Sequence, residues 1–284
     1  MPFSSEFPSR TDGLTVLNPL AAGIDIGDRE IYVAVPPLST TPDKVVRSFG
    51  TFTGDLAMIA DWLKECGVTT VAMESTGVYW VPLFELLDSR GVHLCLVDTR
   101  RIRSVPGRKS DVLDSQWLQQ LHSYGLLSSA FRPKEQIVIL RSYMRQRQLC
   151  LLCAAEHIQH MQKSLQLMNV KLSTVVTDMT GVTGMKIIRQ ILEGQRDPLA
   201  LAKLRDGRCH ADEETIAKSL RGNWREDHLF ALRQAVELYD VYREKIRACD
   251  QEIERVLQQL PDQNDGPPPV IKRKKKNKNS PTYD

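Results

Sequence analysis

Four carboxylates sit where carboxylates are costly or conspicuous. Asp25 lies inside the apolar run GIDIG, Glu74 ends a second apolar run in AMESTG, and Asp111 and Asp114 stand three apart in KSDVLDSQW. A charge within an apolar strand is expensive unless something compensates it. A spacing of three puts two side chains on one face of a helix. Gathered carboxylates repel, and magnesium or manganese (Mg2+ or Mn2+) relieves the repulsion by adding charge and taking oxygen ligands. Two such ions about 4 Å apart can activate an attacking oxygen and stabilise a leaving one at a phosphodiester. Singly, each residue has a plainer role: Asp25 as a strand-end partner of an arginine, Asp111 as a helix cap. Together, and in this order, the four are expected to form a divalent-metal site for nucleic-acid chemistry.

The segments around them read as follows. AAGIDIGDREIYVAVPP alternates β-branched and aromatic residues and implies two strands joined by a turn at Gly27–Asp28. A third strand is expected over Lys44 to Phe52, and the amphipathic DLAMIADWLKEC, Asp55 to Cys66, is a helix. VTTVAMES is a short buried strand, VPLFELLDSRG a helix ended by Gly91, and VHLCLVD another strand. A helix capped by Ser110 or Asp111 then runs to about Gly125. The order β-β-β-α-β-α-β-α is that of an α/β domain of RNase H-like type, a mixed sheet with helices. Laying the first and fourth strands side by side would unite Asp25 with Glu74, and the late helix would close the site from one side.

From Glu135 apolar residues recur at alternating steps of three and four through Leu172, with Arg147 the one charge on the seam. A second long helix is expected from Glu226 to Leu260, where Leu232, Tyr239, Ile246, Ile253 and Leu260 recur every seven residues. Both are heptad patterns of an α-helical coiled-coil region, either an antiparallel arm or a homo-oligomer element. Short helices are expected between them. The domain plan is a flexible N-terminus at 1–20, an α/β domain at 21–134, the helical region at 135–260 and a Pro-rich basic tail at 261–284.

Of 284 residues, 42% are hydrophobic and 26% charged, which fits an ordinary folded chain. No apolar run is long enough for a membrane span and no signal-peptide pattern opens the chain, so a cytoplasmic location without membrane contact is expected. A net charge of +3 argues little for a partner, but its distribution argues more. Arg100, Arg101, Arg103, Arg108 and Lys109 crowd one stretch, and Lys272 to Lys278 another. Such clusters release counterions from DNA or RNA, or are solvated loop and tail charges. Six cysteines show no disulfide framework, and reduced thiols are the simpler account.

GIDIGDREIYVAV, AMESTGVYWVPLFELLDSRGVHLCLVD and VPGRKSDVLDSQWLQQLHSYGLL together resemble the insertion-sequence one-ten family of transposases, closely over residues 21 to about 135 and more loosely beyond. The resemblance implies a RuvC-like N-terminal domain whose Asp-Glu-Asp-Asp tetrad corresponds to Asp25, Glu74, Asp111 and Asp114. It also implies recombination of DNA guided by a structured non-coding bridge RNA, with Lys109 and the arginines before it as backbone contacts. Family members continue into a second domain that bears a nucleophilic serine. Here the chain stops at NSPTYD, so none is assigned and a truncated, incomplete recombinase is expected. Two other functions remain in view: an inactive nucleic-acid-binding remnant that oligomerises, and a stand-alone RuvC-like nuclease.

Other signals carry less. GIDIG and DMTGVTG, the latter from Asp178 to Gly184, could pass for ATPase phosphate loops, but Asp178 follows a long helix instead of a β-hairpin domain. Cys150 and Cys153 with His157 and His160 suggest zinc, yet both cysteines lie beside the seam of one helix, so packing is favoured. Tyr79 and Trp80 either stack on bases or anchor the next helix, with anchoring favoured. His122, three turns beyond Asp111, is too far to be a ligand.

Overall fold

The computed structural model describes residues 15–37, 45–75, 77–97, 111–260 and 279–281, with backbone alone at 111–113. The chain divides into two compact units, Met1–Arg132 and Pro133–Asp284.

Unit 1 is mixed α/β. Its described elements are β1 (Ala21–Ile26), β2 (Ile31–Ala34), β3 (Val46–Phe49), α1 (Thr53–Glu65), β4 (Thr70–Glu74), α2 (Trp80–Ser89), β5 (His93–Val97) and α3 (Asp111–Ser123). The five strands make one sheet in the order β3-β2-β1-β4-β5. β1, β2 and β3 are antiparallel neighbours, whereas β1, β4 and β5 run parallel. The third strand ends at Phe49, short of the Phe52 that its sequence suggests, because Phe52 already serves as the N-cap of α1; Lys44 lies outside the described residues.

Alternation along the strands sorts the two faces. Ala22, Ile24, Val71 and Met73 join Ile59, Leu63, Leu83 and Leu87 of α1 and α2 in one core. Ala72, Cys95 and Val97 look the other way and gather with Leu118 of α3. Local signals set the ends of the helices. The Asp55 carboxylate accepts from the Phe52 backbone N–H (3.0 Å) at the start of α1, and Gly91 follows α2 at φ +77, a left-handed backbone that glycine adopts without strain.

Unit 2 is helical: α4 (Glu135–Leu167), α5 (Leu172–Val175), α6 (Val182–Leu192), α7 (Pro198–Ala202), α8 (Glu213–Ser219) and α9 (Glu226–Gln258). α4 and α9, 33 residues each, pack along one another. They are antiparallel, since Arg147 meets Asp250 while His157, further along α4, stacks on Tyr242, further back along α9. The first helix stops five residues short of Leu172. Asn169 takes φ 57, the Val170 N–H returns to the Leu165 carbonyl (2.9 Å), and Leu172 opens α5. Leu172 is still fully buried, so the apolar spacing recorded burial in a core and not continuation of one helix. α6 and α8 supply the rest of that core through Ile187, Ile188, Ile191 and Ile216. No described helix is long and apolar enough to cross a membrane.

Candidate active site

The parallel pairing of β1 and β4 runs from Ala21↔Thr70 to Ile24↔Met73. The next position in that register is Asp25 beside Glu74, at the C-terminal ends of both strands. Neighbouring strands lie about 4.8 Å apart, so these two carboxyl groups start from adjacent points. Alternation puts Asp25 on the face of Gly23 and Glu74 on the face of Ala72, which is the side covered by α3. Both residues are half-buried.

Gly23 explains how α3 comes so close. A Cβ there would lie 2.2 Å from the Gln119 backbone N and 2.3 Å from the Ser115 carbonyl O, so only glycine lets helix backbone rest on strand backbone. The contacts also give the direction of α3. Gln119 Nε2 donates to the Ala21 carbonyl (3.2 Å), and His122 Nε2 meets the Thr70 hydroxyl (2.8 Å). Late residues of α3 thus lie against the starts of β1 and β4, and its first turn lies at their ends. From Gly23 to Asp25 is about 6.6 Å of strand, and one helical turn back from Ser115 is about 5.4–6 Å. Asp25 therefore stands level with the turn that carries Asp111 and Asp114. Asp114 is half-buried, and the side chain of Asp111 lies outside the described residues.

All four sequence-selected carboxylates therefore come from elements that converge at one end of the sheet, the carboxyl end of its parallel strands, where open α/β sheets bind ligands. Among the described residues, no three His, Cys, Asp or Glu side chains gather as a metal-holding group. Arg100, Arg101, Arg103, Arg108 and Lys109 lie outside the described residues.

Sequence reading missed what fixes α3. At its far end, the Leu17 and Asn18 backbone N–H groups both donate to the Ser123 carbonyl (2.9 Å each). Asn18 Nδ2 adds a bond to the His122 carbonyl (2.8 Å). These donors satisfy carbonyls that a helix end leaves open. Gly23, two residues before Asp25 in AAGID, was the available signal for the close approach.

His122 is 6% exposed, and burial, assisted by nearby His93, holds its imidazole below the ordinary value of about 6.5. The folded form thus resists a proton that the unfolded chain accepts. The His122 contribution is intact above about pH 6.5 and is lost as pH falls from there through the lowered folded value. Thermal melts from pH 8 to 5 should show wild type losing more stability than His122→Asn over the lower half of that range. Parallel curves would refute the assignment.

Trp80 proves to be an anchor. Its indole N–H donates to the Gly77 carbonyl (3.2 Å), its ring meets Phe84 edge-on at 5.6 Å, and the Arg132 guanidinium lies 5.6 Å from it. Tyr79 differs, with 53% of its surface exposed. In unit 2, Cys150 is buried in the core while His157 meets Tyr242 stacked and His160 edge-on. Asp178 accepts from the Thr180 N–H (3.0 Å) and hydroxyl (2.9 Å) in the turn before α6.

Comparison with known proteins returns no curated protein that matches the chain. A family model does match, described as a transposase of the DEDD, IS110 type, over residues 22–170. That span is more than half of the 284 residues and contains all four carboxylates. By that match, the chain belongs to the IS110 family of DEDD transposases.

Proposed function

We propose that unit 1 is an RNase H-like, RuvC-like domain whose Asp25, Glu74, Asp111 and Asp114 hold divalent magnesium or manganese for DNA strand cleavage during transposition. The observation that carries this is the convergence of β1, β4 and the first turn of α3 at one end of the sheet. The D-E-D-D order of the four residues and the family membership add to it. Carboxylates on adjacent strand ends suit hard, oxygen-seeking cations, and no His or Cys is needed. Bound ions would supply positive charge at both the entering and leaving oxygens of a phosphodiester. The protein's share is positional. The parallel register, which runs to Ile24↔Met73, supports Asp25 and Glu74 as neighbours, and the backbone contact at Gly23 sets the height of α3.

The remaining parts of the reading concern partners. DNA is the substrate, a structured guide RNA is the specificity partner, and the basic stretch from Arg100 to Lys109 contacts phosphates on the way into α3. The α4–α9 pair acts as a coiled-coil arm in a homo-oligomer.

The test is magnesium- or manganese-dependent cleavage of branched and linear DNA by the whole chain, with manganese binding followed separately by calorimetry. Asp25→Asn should weaken manganese binding and slow cleavage by about 10²–10³-fold, the scale of losing one charge-stabilising group. Metal-dependent DNA binding without cleavage would favour the non-catalytic alternative. Cleavage that survives both Asp25→Asn and Glu74→Gln would sink the site.

A further inference from the structure

At the tip of β1, across the strand from Asp25, lies a cavity of about 280 Å³. Ile26, Ile31 and Leu56 line it with apolar surface, Asp28 stands at its rim, and Val78 and Tyr79 form a wall. Val78 is 73% exposed and Tyr79 53%, a large apolar outlay for two adjacent residues on a loop. The same two strands that carry the acidic residues deliver this wall and rim. Gly27 and Asp28 directly follow β1, and Val78 and Tyr79 follow β4 by a short turn through Gly77, whose φ is +58. The turn at Asp28 is held from the α1 side, where the Thr51 hydroxyl donates to the Asp28 carbonyl (3.3 Å).

We propose that this cavity receives one unpaired nucleobase of the DNA strand whose phosphate lies at the acidic site. Tyr79 stacks on the base, and the Asp28 carboxylate accepts from its amino group. The proposal rests on the reading of Asp25, Glu74, Asp111 and Asp114 as a phosphodiester site, and it adds a specificity element to that site. The occupant follows from the position. A phosphate held at the ends of β1 and β4 lies beside residues that directly follow those strands and line the cavity, Gly27 and Asp28 after β1 and Val78 and Tyr79 after β4, so its own base or the next is the group nearest to it. The opening is smaller than a typical drug-sized pocket and suits a single planar ring system. A base within an intact duplex cannot reach such a slot, so the nucleotide must be unstacked. Aromatic stacking tolerates any base, but a carboxylate set against the exocyclic position distinguishes cytosine, whose N4 amino group donates there, from thymine, whose O4 there can only accept.

The test uses the full chain with short fluorescein-labelled oligo-dC, oligo-dT and an abasic strand of equal length, titrated in magnesium. Wild type should bind oligo-dC more tightly than oligo-dT, and both more tightly than the abasic strand, the last step by about tenfold. Tyr79→Ala should lower affinity for oligo-dC by about tenfold and leave the abasic strand unchanged, whereas Tyr79→Phe retains binding. Asp28→Ala should make oligo-dC and oligo-dT equal. Tyr79 is on the surface, so circular dichroism suffices to show that its variants fold. Magnesium-dependent binding in which Tyr79→Ala is silent, or weakens all three strands alike, overturns this proposal alone. Binding that ignores both magnesium and Asp25→Asn overturns the site reading, and this proposal with it.

Discussion

Asp250→Ala is expected to destabilise the helical unit by about 3–5 kcal/mol, the usual result of removing one partner from a buried ion pair. Asp250 is 1% exposed and sits on the inner face of α9 between Ile246 and Ile253. Its carboxylate accepts from Arg147 Nε at 2.5 Å, and the Arg147 side chain is only 11% exposed. Removing the carboxylate leaves a guanidinium that always carries its charge inside the interface between two long helices. Arg147 also donates to the Asn279 carbonyl (2.9 Å), a neutral acceptor that cannot neutralise it. Urea unfolding followed by helical circular dichroism reads the loss, because unit 2 contains both 33-residue helices. The double variant Arg147→Met with Asp250→Leu should recover most of it, since a packed apolar pair often equals a buried ionic one. If Asp250→Ala costs under about 1 kcal/mol, the pair behaves as a surface bridge and the burial argument fails.

The second large effect is expected at Gly23. Gly23→Ala places a methyl 2.2 Å from one backbone atom of α3 and 2.3 Å from another, and neither is the free end of a side chain that could swing away. The helix or the strand must shift, at a cost at or above the top of the about 1–3 kcal/mol typical of overpacking. The displacement falls on the element that carries Asp111 and Asp114, so manganese affinity should drop even at temperatures where the variant remains folded. Gly54→Ala is the control. A Cβ there meets nothing within 4 Å, its place in α1 is helical, and a gain of about 0.4–1 kcal/mol is expected. Equal behaviour of the two alanine variants would mean that α3 does not rest on β1 as described.

The identity and order of the elements in unit 1 were legible because each carried its own signal. Alternation marked β1 and β2, a closing glycine marked the end of α2, and a capping residue at Ser110 or Asp111 with Gly125 beyond marked α3. The parallel pairing of the strands that end in Asp25 and Glu74 was partly legible, since two apolar strands ending in carboxylates invite a parallel neighbour. What could not be read was long-range backbone geometry. Nothing local to AAGID says that Ser115 and Gln119 will press on its glycine, and nothing local to Asn18 says that it will bind the end of α3. Arg147 was visible as a charge on an apolar seam, but its partner was not. Asp250 lies between Ile246 and Ile253 of the seven-residue series, where a carboxylate carries no local sign that the inner face of the helix will bury it. Leu172 misled in the opposite sense, since apolar spacing cannot distinguish a helix that continues from a core that does.

The helix that rests on Gly23 is also the last described element of unit 1 to be made. A ribosome that has released the chain only as far as Val97 has produced all five strands, Asp25 and Glu74, and both helices of the opposite face. The two aspartates of α3 are still unsynthesised, and Ala72, Cys95 and Val97 have not yet met Leu118. The carboxylate set therefore cannot assemble during most of the synthesis of its own domain. In a chain made in this order, the two carboxylates of the sheet wait for the helix that carries the other two, so the proposed four-carboxylate site can be completed only with the last described element of unit 1.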